Sequence, residues 1–229
     1  MIPKRFLCLL VGALAPTVHA ALDRDHDGLS DIWEVLHPTA VPPEADLDGD
    51  GASNRDEAVA DTDPASAASR LAVVPQRDPA GNLVLHWTGV AGKHYVIESS
   101  TDLRTWTPQA EDRTGTSFEV IVRPVGTGPG REFWRIAVSD ADTDRDGLND
   151  WEEIQLGTSS TAADTDHDGL PDAWEAGYGL DPLVDDATAD PDGDDFTNLQ
   201  EFAAGMNPTL SPLVAGGAIV ALQVYCPGP

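Results

Sequence analysis

The stretch Asp164–Glu175 reads DTDHDGLPDAWE and carries the pattern on which the fold depends. Carboxylates stand at its positions 1, 3, 5, 9 and 12, and glycine stands at position 6. Negative charges packed this closely repel one another unless a cation lies among them. In EF-hand-type loops, side chains at 1, 3 and 5, the carbonyl of 7, a residue at 9 and a bidentate glutamate at 12 surround calcium. The stretch therefore predicts a calcium site.

The same twelve-residue pattern occurs five times, and we number the copies loops 1 to 5 in chain order. A single acidic segment would be weak evidence, but five copies with the same offsets favour a metal site over a solvated acidic surface. Position 7 contributes its backbone carbonyl, and four to five calcium ions are expected. The predicted ligands are Asp23, Asp25, Asp27, Leu29, Asp31 and Glu34; Asp46, Asp48, Asp50, Ala52, Asn54 and Glu57; Asp142, Asp144, Asp146, Leu148, Asp150 and Glu153; Asp164, Asp166, Asp168, Leu170, Asp172 and Glu175; and Asp190, Asp192, Asp194, Phe196, Asn198 and Glu201.

Loop 5 departs from the pattern at position 6, where Asp195 replaces glycine. The turn there favours a positive φ, which glycine adopts freely and which aspartate tolerates better than most residues. We expect loop 5 to close with some strain and to bind its ion more weakly than the others.

The negative charge of the chain is confined to the repeats. Residues 21–64 hold 13 acidic and 2 basic side chains and residues 140–210 hold 20 and 1, whereas residues 65–139 hold 7 and 8. The formal net charge is −27, with no basic stripe. This distribution excludes nucleic acid as an expected partner, because nothing is present to neutralise phosphates.

The first twenty residues have the features of an export signal. Lys4 and Arg5 precede an apolar run, and Val18-His19-Ala20 fits a cleavage site. The run is too short to span a bilayer, so no transmembrane helix is predicted. We expect an exported protein that is secreted or held at the cell surface.

The residues after each loop predict a short helix. In loops 3 to 5, glycine follows the closing glutamate by four residues, and after loops 2, 4 and 5 an Asp-Pro or Asn-Pro pair begins six residues after that glutamate. This spacing is typical of a helix that begins near position 9 and ends at a glycine cap. Trp33, Trp151 and Trp174 fall in these helices and are expected to pack between adjacent repeats rather than to form a ligand-binding row.

The middle of the chain has the pattern of a β-domain. Apolar and aromatic residues alternate in short runs separated by glycine-rich turns, which predicts a small antiparallel β-sandwich. Trp87, Trp106 and Trp134 are expected to pack in its core or at its edge. The predicted strands are Leu71–Val74, Asn82–Thr88, His94–Ser99, Ser117–Val122 and Glu132–Val138.

The runs Asp142–Glu153 and Asp164–Glu175 resemble bacterial thrombospondin type 3 repeats. The resemblance extends over residues 23–64 and 142–210 and implies a calcium-binding unit of exported and surface proteins. Tyr95–Trp106 and Glu132–Ile136 look like the fibronectin type III-like modules that accompany such repeats. The chain lacks the cysteines of the animal repeats, so their disulfides are not implied.

The resulting fold class is mixed: calcium-loop repeats with short helices flank a small antiparallel β-sandwich. The expected function is a spacer or adhesion protein that contacts an unknown surface protein or polysaccharide. The predicted segments are a signal peptide at 1–20, repeats 1 and 2 at 21–67, the β-domain at 68–139, repeats 3 to 5 at 140–210, and a tail at 211–229.

Two other classes remain open. The loops also resemble dockerin modules, which dock onto a surface scaffold, although dockerins have two loops close together rather than five split by a β-domain. A polysaccharide-binding or hydrolytic accessory protein is the third class. No H-E-x-x-H or phosphate-loop motif is present, and the six histidines are scattered, so catalysis is not expected.

Overall fold

The computed structural model describes residues 9–11, 22–38, 42–77, 79, 83–114, 119–123, 133–211, 213–214 and 218–219. The chain forms two compact units. The first comprises Met1–Ala141 and Asn149–Glu152, and the second comprises Asp142–Leu148 and Glu153–Pro229.

Short helices follow the loops as the sequence predicts. Each of the five helices in the described part of the chain begins at position 9 of its loop and is six or seven residues long. Helices this short are not stable in isolation, so their stability must come from packing and from the loops that precede them. The helices are α1 (Asp31–Leu36), α2 (Asn54–Ala60), α3 (Asp150–Leu156), α4 (Asp172–Tyr178) and α5 (Asn198–Ala204).

Local capping explains where these helices begin and end. Helices α2 and α5 begin with a capping box, in which the side chains of Ser53 and Thr197 accept hydrogen bonds from the third helical N–H. Helices α4 and α5 end at Gly179 and Gly205, which adopt left-handed conformations, as the glycine spacing predicts. Asp61 takes the same conformation after α2, with φ of 53°.

Two sheets form the β-domain of the first unit. The first has the order β1-β7-β4-β5, with β1 parallel to β7 and the remaining pairs antiparallel. The second, β2-β3-β6, is antiparallel throughout. Strand β1 lies within the predicted export signal. The strands are β1 (Leu9–Val11), β2 (Val74–Arg77), β3 (Leu83–Trp87), β4 (Lys93–Ser100), β5 (Thr107–Thr114), β6 (Glu119–Arg123) and β7 (Phe133–Asp140). In the second unit, β8 (Leu213–Val214) pairs antiparallel with β9 (Ala218–Ile219) in the predicted tail.

Side chains from both sheets form one hydrophobic core. Strand β3 contributes Leu85 and Trp87, β4 contributes Tyr95 and Ile97, and β7 contributes Trp134 among others. Trp106 lies beside the core strands, with the Arg135 guanidinium 4.3 Å from the centre of its ring. The tryptophans of the β-domain therefore pack as the sequence predicts.

One predicted strand was wrong in its bounds, and one strand was not predicted. The run 71–74 was predicted as a strand, but β2 begins at Val74, and Leu71 and Val73 pack against the core from an irregular segment. Strand β5 was not predicted, because Thr107–Thr114 reads TPQAEDRT and has no apolar alternation. It pairs with β4 at the edge of its sheet, where a polar sequence is tolerated.

The helices of the first unit meet the β-domain around a buried lysine. The ammonium group of Lys93 donates to the Asp140 carboxylate and to the Ala58 carbonyl of α2. It also lies 4.9 Å from the centre of the Trp151 ring. Lys93 is 2% exposed, so its charge depends on these partners. The ion pair and the aromatic ring fix α2 and the start of α3 against β4 and β7.

All three tryptophans of the repeats pack against other repeats, but two of them meet a repeat that is not adjacent in the chain. Trp33 and Trp151 are buried together with Leu29, so the first and third repeats meet although the β-domain separates them in sequence. In the second unit, Trp174 contacts Phe202 with ring centres 5.3 Å apart, which joins the fourth and fifth repeats. Only the second contact lies between repeats that are adjacent in the chain.

Among the described helices, none combines the length and the apolar character that a membrane span requires.

Candidate metal centres

Three carboxylates converge at the start of the loops. In each of loops 1 to 4, the aspartates at positions 1, 3 and 5 have oxygen atoms within 4.8 Å of one another. Carboxylate oxygens at this spacing form the kind of donor set that calcium prefers. The structure therefore brings together the predicted ligands at the first three positions.

The backbone of each loop holds these carboxylates in place. In all five loops, the N–H of position 7 donates to one oxygen of the aspartate at position 5, over 2.7–2.9 Å. The N–H of position 5 donates in turn to the aspartate at position 3. Because the same contacts recur in every copy, the loop conformation is encoded by its own aspartates.

The turn at position 6 has the predicted left-handed conformation in all five loops. Gly28, Gly51, Gly147 and Gly169 have φ between 88° and 109°, and Asp195 has φ of 74°. The N–H of Asp195 donates to Asp190 over 3.0 Å, the same contact that Gly169 makes to Asp164. Loop 5 thus reaches the same backbone frame with a non-glycine residue in a strained region.

Position 4 is also left-handed, which the sequence analysis did not anticipate. Its residues are His26, Gly49, Arg145, His167 and Gly193, with φ between 61° and 80°. The N–H at this position donates to the first aspartate in loops 2 to 5. The glycines of loops 2 and 5 were the available signal, but the bulkier residues in the other copies concealed it.

The closing glutamates at position 12 are buried in loops 2 to 5. Glu57, Glu175 and Glu201 are 1%, 0% and 0% exposed. Within the described residues, neither side-chain oxygen of Glu175 or Glu201 has a hydrogen-bond partner, and Glu57 Oε2 has none. A buried carboxylate without a partner is costly, because it loses its hydration without replacement. Glu34 of loop 1 is only half-buried.

The surroundings of these glutamates raise the pKa of their carboxyl groups. Burial, followed by the charge of Asp168, raises the pKa of Glu175 to about 8. Burial and the neighbouring aspartates raise the pKa of Glu57 and Glu201 to about 7. A nearby cation would oppose both effects. The oxygen-only donors and the unpartnered buried glutamates therefore fit calcium.

In four loops, one oxygen of the aspartate at position 3 is also buried without a hydrogen-bond partner in the described part of the chain. Among the described residues, the Oδ2 atoms of Asp48, Asp144, Asp166 and Asp192 at position 3 are buried and have no hydrogen-bond partner. Their Oδ1 atoms accept from the backbone, as described above. Each aspartate thus offers one oxygen to the loop backbone and retains one for a ligand.

Four of the predicted ligands at position 9 also make hydrogen bonds within their own loop or to the linker before it. Asp172 accepts from the N–H of Thr165 over 2.8 Å and from its hydroxyl over 2.6 Å. Asp31 accepts from the N–H of Arg24 over 3.1 Å. Asn54 and Asn198 instead donate to backbone carbonyls of the linkers before their loops. Asp150, at position 9 of loop 3, is buried.

The predicted position-7 residues have different surroundings. Leu29, Leu148 and Leu170 are buried, which anchors each loop through its side chain. Ala52 is half-buried, and Phe196 is 45% exposed. Glu153, the closing residue of loop 3, is buried like those of loops 2, 4 and 5.

Two residues outside the predicted set lie against the loops. The guanidinium of Arg55 donates to the carbonyls of Asp27 and Gly28 in loop 1, over 2.8 and 3.2 Å. Asp186 lies near loop 4, and its carboxylate has an oxygen within 4.8 Å of those of Asp168 and Glu175. Neither residue belongs to the twelve-residue pattern of the loop it contacts, so that pattern gave no signal for them.

Comparisons with known proteins bear on three of the five loops. No curated protein and no solved structure matches the chain. Residues 46–67, 142–158 and 164–184, which contain loops 2, 3 and 4, match the model of the bacterial TSP3 repeat. Three segments of the chain are therefore similar to a calcium-binding repeat family, and these segments contain the aspartate clusters of loops 2, 3 and 4.

Proposed function

We propose that the protein is an exported calcium-binding structural protein whose loops hold four to five ions. The observation that carries the proposal is the buried Glu175, whose two unpartnered oxygens lie among the carboxylates of its own loop. Buried Glu201 with two oxygens unpartnered among the described residues, and buried Glu57 with one, support a shared function for the loops. The similarity of loops 2 to 4 to a calcium-binding repeat family agrees with it.

When bound, calcium supplies the positive charge that the carboxylate clusters lack. The chain itself supplies the donors and holds them through the backbone hydrogen bonds of each loop. Each ion at ten times its dissociation constant adds about 1.4 kcal/mol to the stability of the folded state. Several ions together stabilise helices that are too short to fold alone.

The biological role that we propose is a spacer or adhesion element outside the cytoplasm. Support comes from the signal-like first twenty residues and from the confinement of the charge to the repeats. In this proposal, the central sheets form a fibronectin type III-like module, and the partner is a surface protein or polysaccharide. The protein is not an enzyme, since the metal sites account for the clustered carboxylates.

Calorimetric titration of the chelator-stripped chain tests the proposal. We expect four to five calcium ions per chain, and weak competition by magnesium, because its small octahedral shell makes poor use of a bidentate glutamate. Glu175→Gln should remove or severely weaken one site. The control is Asp102→Asn, which makes the same charge change at an exposed residue of the β-domain. One ion or none in the unaltered chain would refute the proposal.

A further inference from the structure

The Asp186 carboxylate lies close to two carboxylates of loop 4, although Asp186 is outside that loop in sequence. Asp168 and Glu175 belong to the loop, whereas Asp186 lies in the linker between loops 4 and 5. Oxygen atoms of the three side chains lie within 4.8 Å of one another. Glu175 is 0% exposed, and within the described residues neither of its side-chain oxygens has a hydrogen-bond partner. Ionised carboxylates this close repel one another, and a cation among them would offset that repulsion.

The linker is built to hold Asp186 at this place. The backbone N–H groups of Asp186 and Ala187 both donate to Asp168 Oδ2, over 3.0 and 2.7 Å. From the other side, the Asn198 side-chain amide donates to Asp186 Oδ1 over 2.8 Å and to its carbonyl over 3.0 Å. Asp186 is therefore fixed between position 5 of loop 4 and position 9 of loop 5.

The first two loops provide an internal comparison. The linker before loop 2 repeats the backbone pattern, because Asn54 donates to the carbonyls of Ala45 and Pro42 as Asn198 does to those of Ala189 and Asp186. Pro42 thus stands where Asp186 stands. Proline has neither a carboxylate nor an N–H, so it can make none of the contacts of Asp186 to the preceding loop.

We propose that Asp186 is an additional ligand of the cation bound by loop 4, supplied by the linker to loop 5. The inference rests on the proposed function, because it assigns a further donor to one of the proposed calcium sites. Asp186 would thus add a negatively charged ligand to the site of loop 4. The site of loop 1 has no such ligand, because Pro42 occupies the equivalent position in the linker after it. More carboxylate ligands raise calcium affinity, so loop 4 binds its ion more tightly than loop 1.

Calcium titration of the full chain and three variants tests this assignment. Asp186→Asn keeps an acceptor for Asn198 but removes the charge, whereas Asp186→Ala removes both. Asp185→Asn is the matched control, because it makes the same charge change at the adjacent, exposed residue. We expect Asp186→Asn to weaken one site by about tenfold to a hundredfold, and Asp185→Asn to have a much smaller effect.

A double-mutant cycle places the effect at loop 4. In the Glu175→Gln background, which lacks the fourth site, Asp186→Asn should cause no further loss of affinity. Equal affinities for Asp186→Asn and Asp185→Asn in a chain that binds calcium would overturn the assignment while leaving the proposed function intact. Loss of affinity in Asp186→Ala alone would also overturn it, since Asp186 would then act only through its hydrogen bonds. Absence of calcium binding in the unaltered chain would refute both proposals.

Discussion

The joint between the β-domain and α3 can be tested by adding one methyl group. Gly92 precedes β4 and has φ of 80°, in the left-handed region. A Cβ atom built on it would lie 2.4 Å from the Trp151 nitrogen and 2.6 Å from its Cα atom. Both neighbours are backbone atoms, so neither can move aside by rotating a side chain. Gly92→Ala should therefore destabilise the first unit.

Two effects determine how much Gly92→Ala should lower the free energy of unfolding. Placing an L-residue in the left-handed region costs about 1–2 kcal/mol. Forcing an extra carbon into a packed contact costs about 1–3 kcal/mol more. Gly49→Ala isolates the first effect, because Gly49 has the same φ of 80° and its added Cβ would meet nothing within 4 Å. The difference between the two variants should thus be about 1–3 kcal/mol in the free energy of unfolding.

Urea unfolding at saturating calcium, followed by tryptophan fluorescence and circular dichroism, measures this difference. Trp151 lies at the contact itself, so its fluorescence should report the disruption directly. Because a raised dissociation constant of loop 2 lowers stability even at saturating calcium, calcium titration of Gly49→Ala gives the contribution of binding that must be subtracted from the comparison. Equal losses of stability in Gly92→Ala and Gly49→Ala would refute the close approach of Trp151 to the turn before β4.

Three further predictions concern the loops. Asp195→Gly should leave the affinity of loop 5 unchanged or raise it, because glycine relieves the strained φ; a clear loss in titration would show that the Asp195 side chain assists binding. Chelation should make residues 21–64 and 140–210 sensitive to protease and leave a resistant fragment near 68–139; equal resistance of all three segments would contradict metal-coupled folding. Without calcium, thermal melting should show the second unit more stable at pH 5 than at pH 8. The folded pKa of Glu175 is about 8 against 4.5 ordinarily, so the folded state binds more protons and loses stability as pH rises between these values. Calcium should reverse this trend, because it binds the ionised carboxylates, and greater stability at pH 8 in the calcium-free protein would contradict the assignment.

The local structure of the repeats could be predicted because its determinants are close together in sequence. The hydrogen bond from Leu170 to Asp168 spans two residues, and the glycine cap at Gly179 follows Glu175 by four. Start and end signals of this kind depend little on the rest of the chain. The positive φ at position 4 was not predicted, because three of the five loops have a residue other than glycine there, such as His167, and only glycine indicates a positive φ from sequence.

Contacts between distant segments could not be predicted in the same way. Trp33 was expected to meet a neighbouring repeat, and Ala58 of the second repeat does pack against its cluster, but its buried partner is Trp151 of the third repeat, which lies beyond the β-domain in sequence. Strand β5 carries no apolar alternation because it lies at a sheet edge, and only its pairing with β4 identifies it. These features depend on which surfaces come into contact in the folded protein, and the spacing of apolar residues along the chain does not predict those contacts.

The proposed sites combine the two kinds of information. The backbone of loop 4 positions Asp168 through contacts within the loop, whereas Asp186 arrives through a linker whose geometry depends on Asn198 of the next loop. Substituting Asn198 should therefore weaken loop 4 as well as loop 5, although Asn198 is outside loop 4. In the proposed fourth site, hydrogen bonds within the loop hold the loop's own donors, and hydrogen bonds from the linker and from Asn198 hold Asp186. A chain of such repeats would then stiffen cooperatively as calcium fills neighbouring sites, which is the property that a spacer requires.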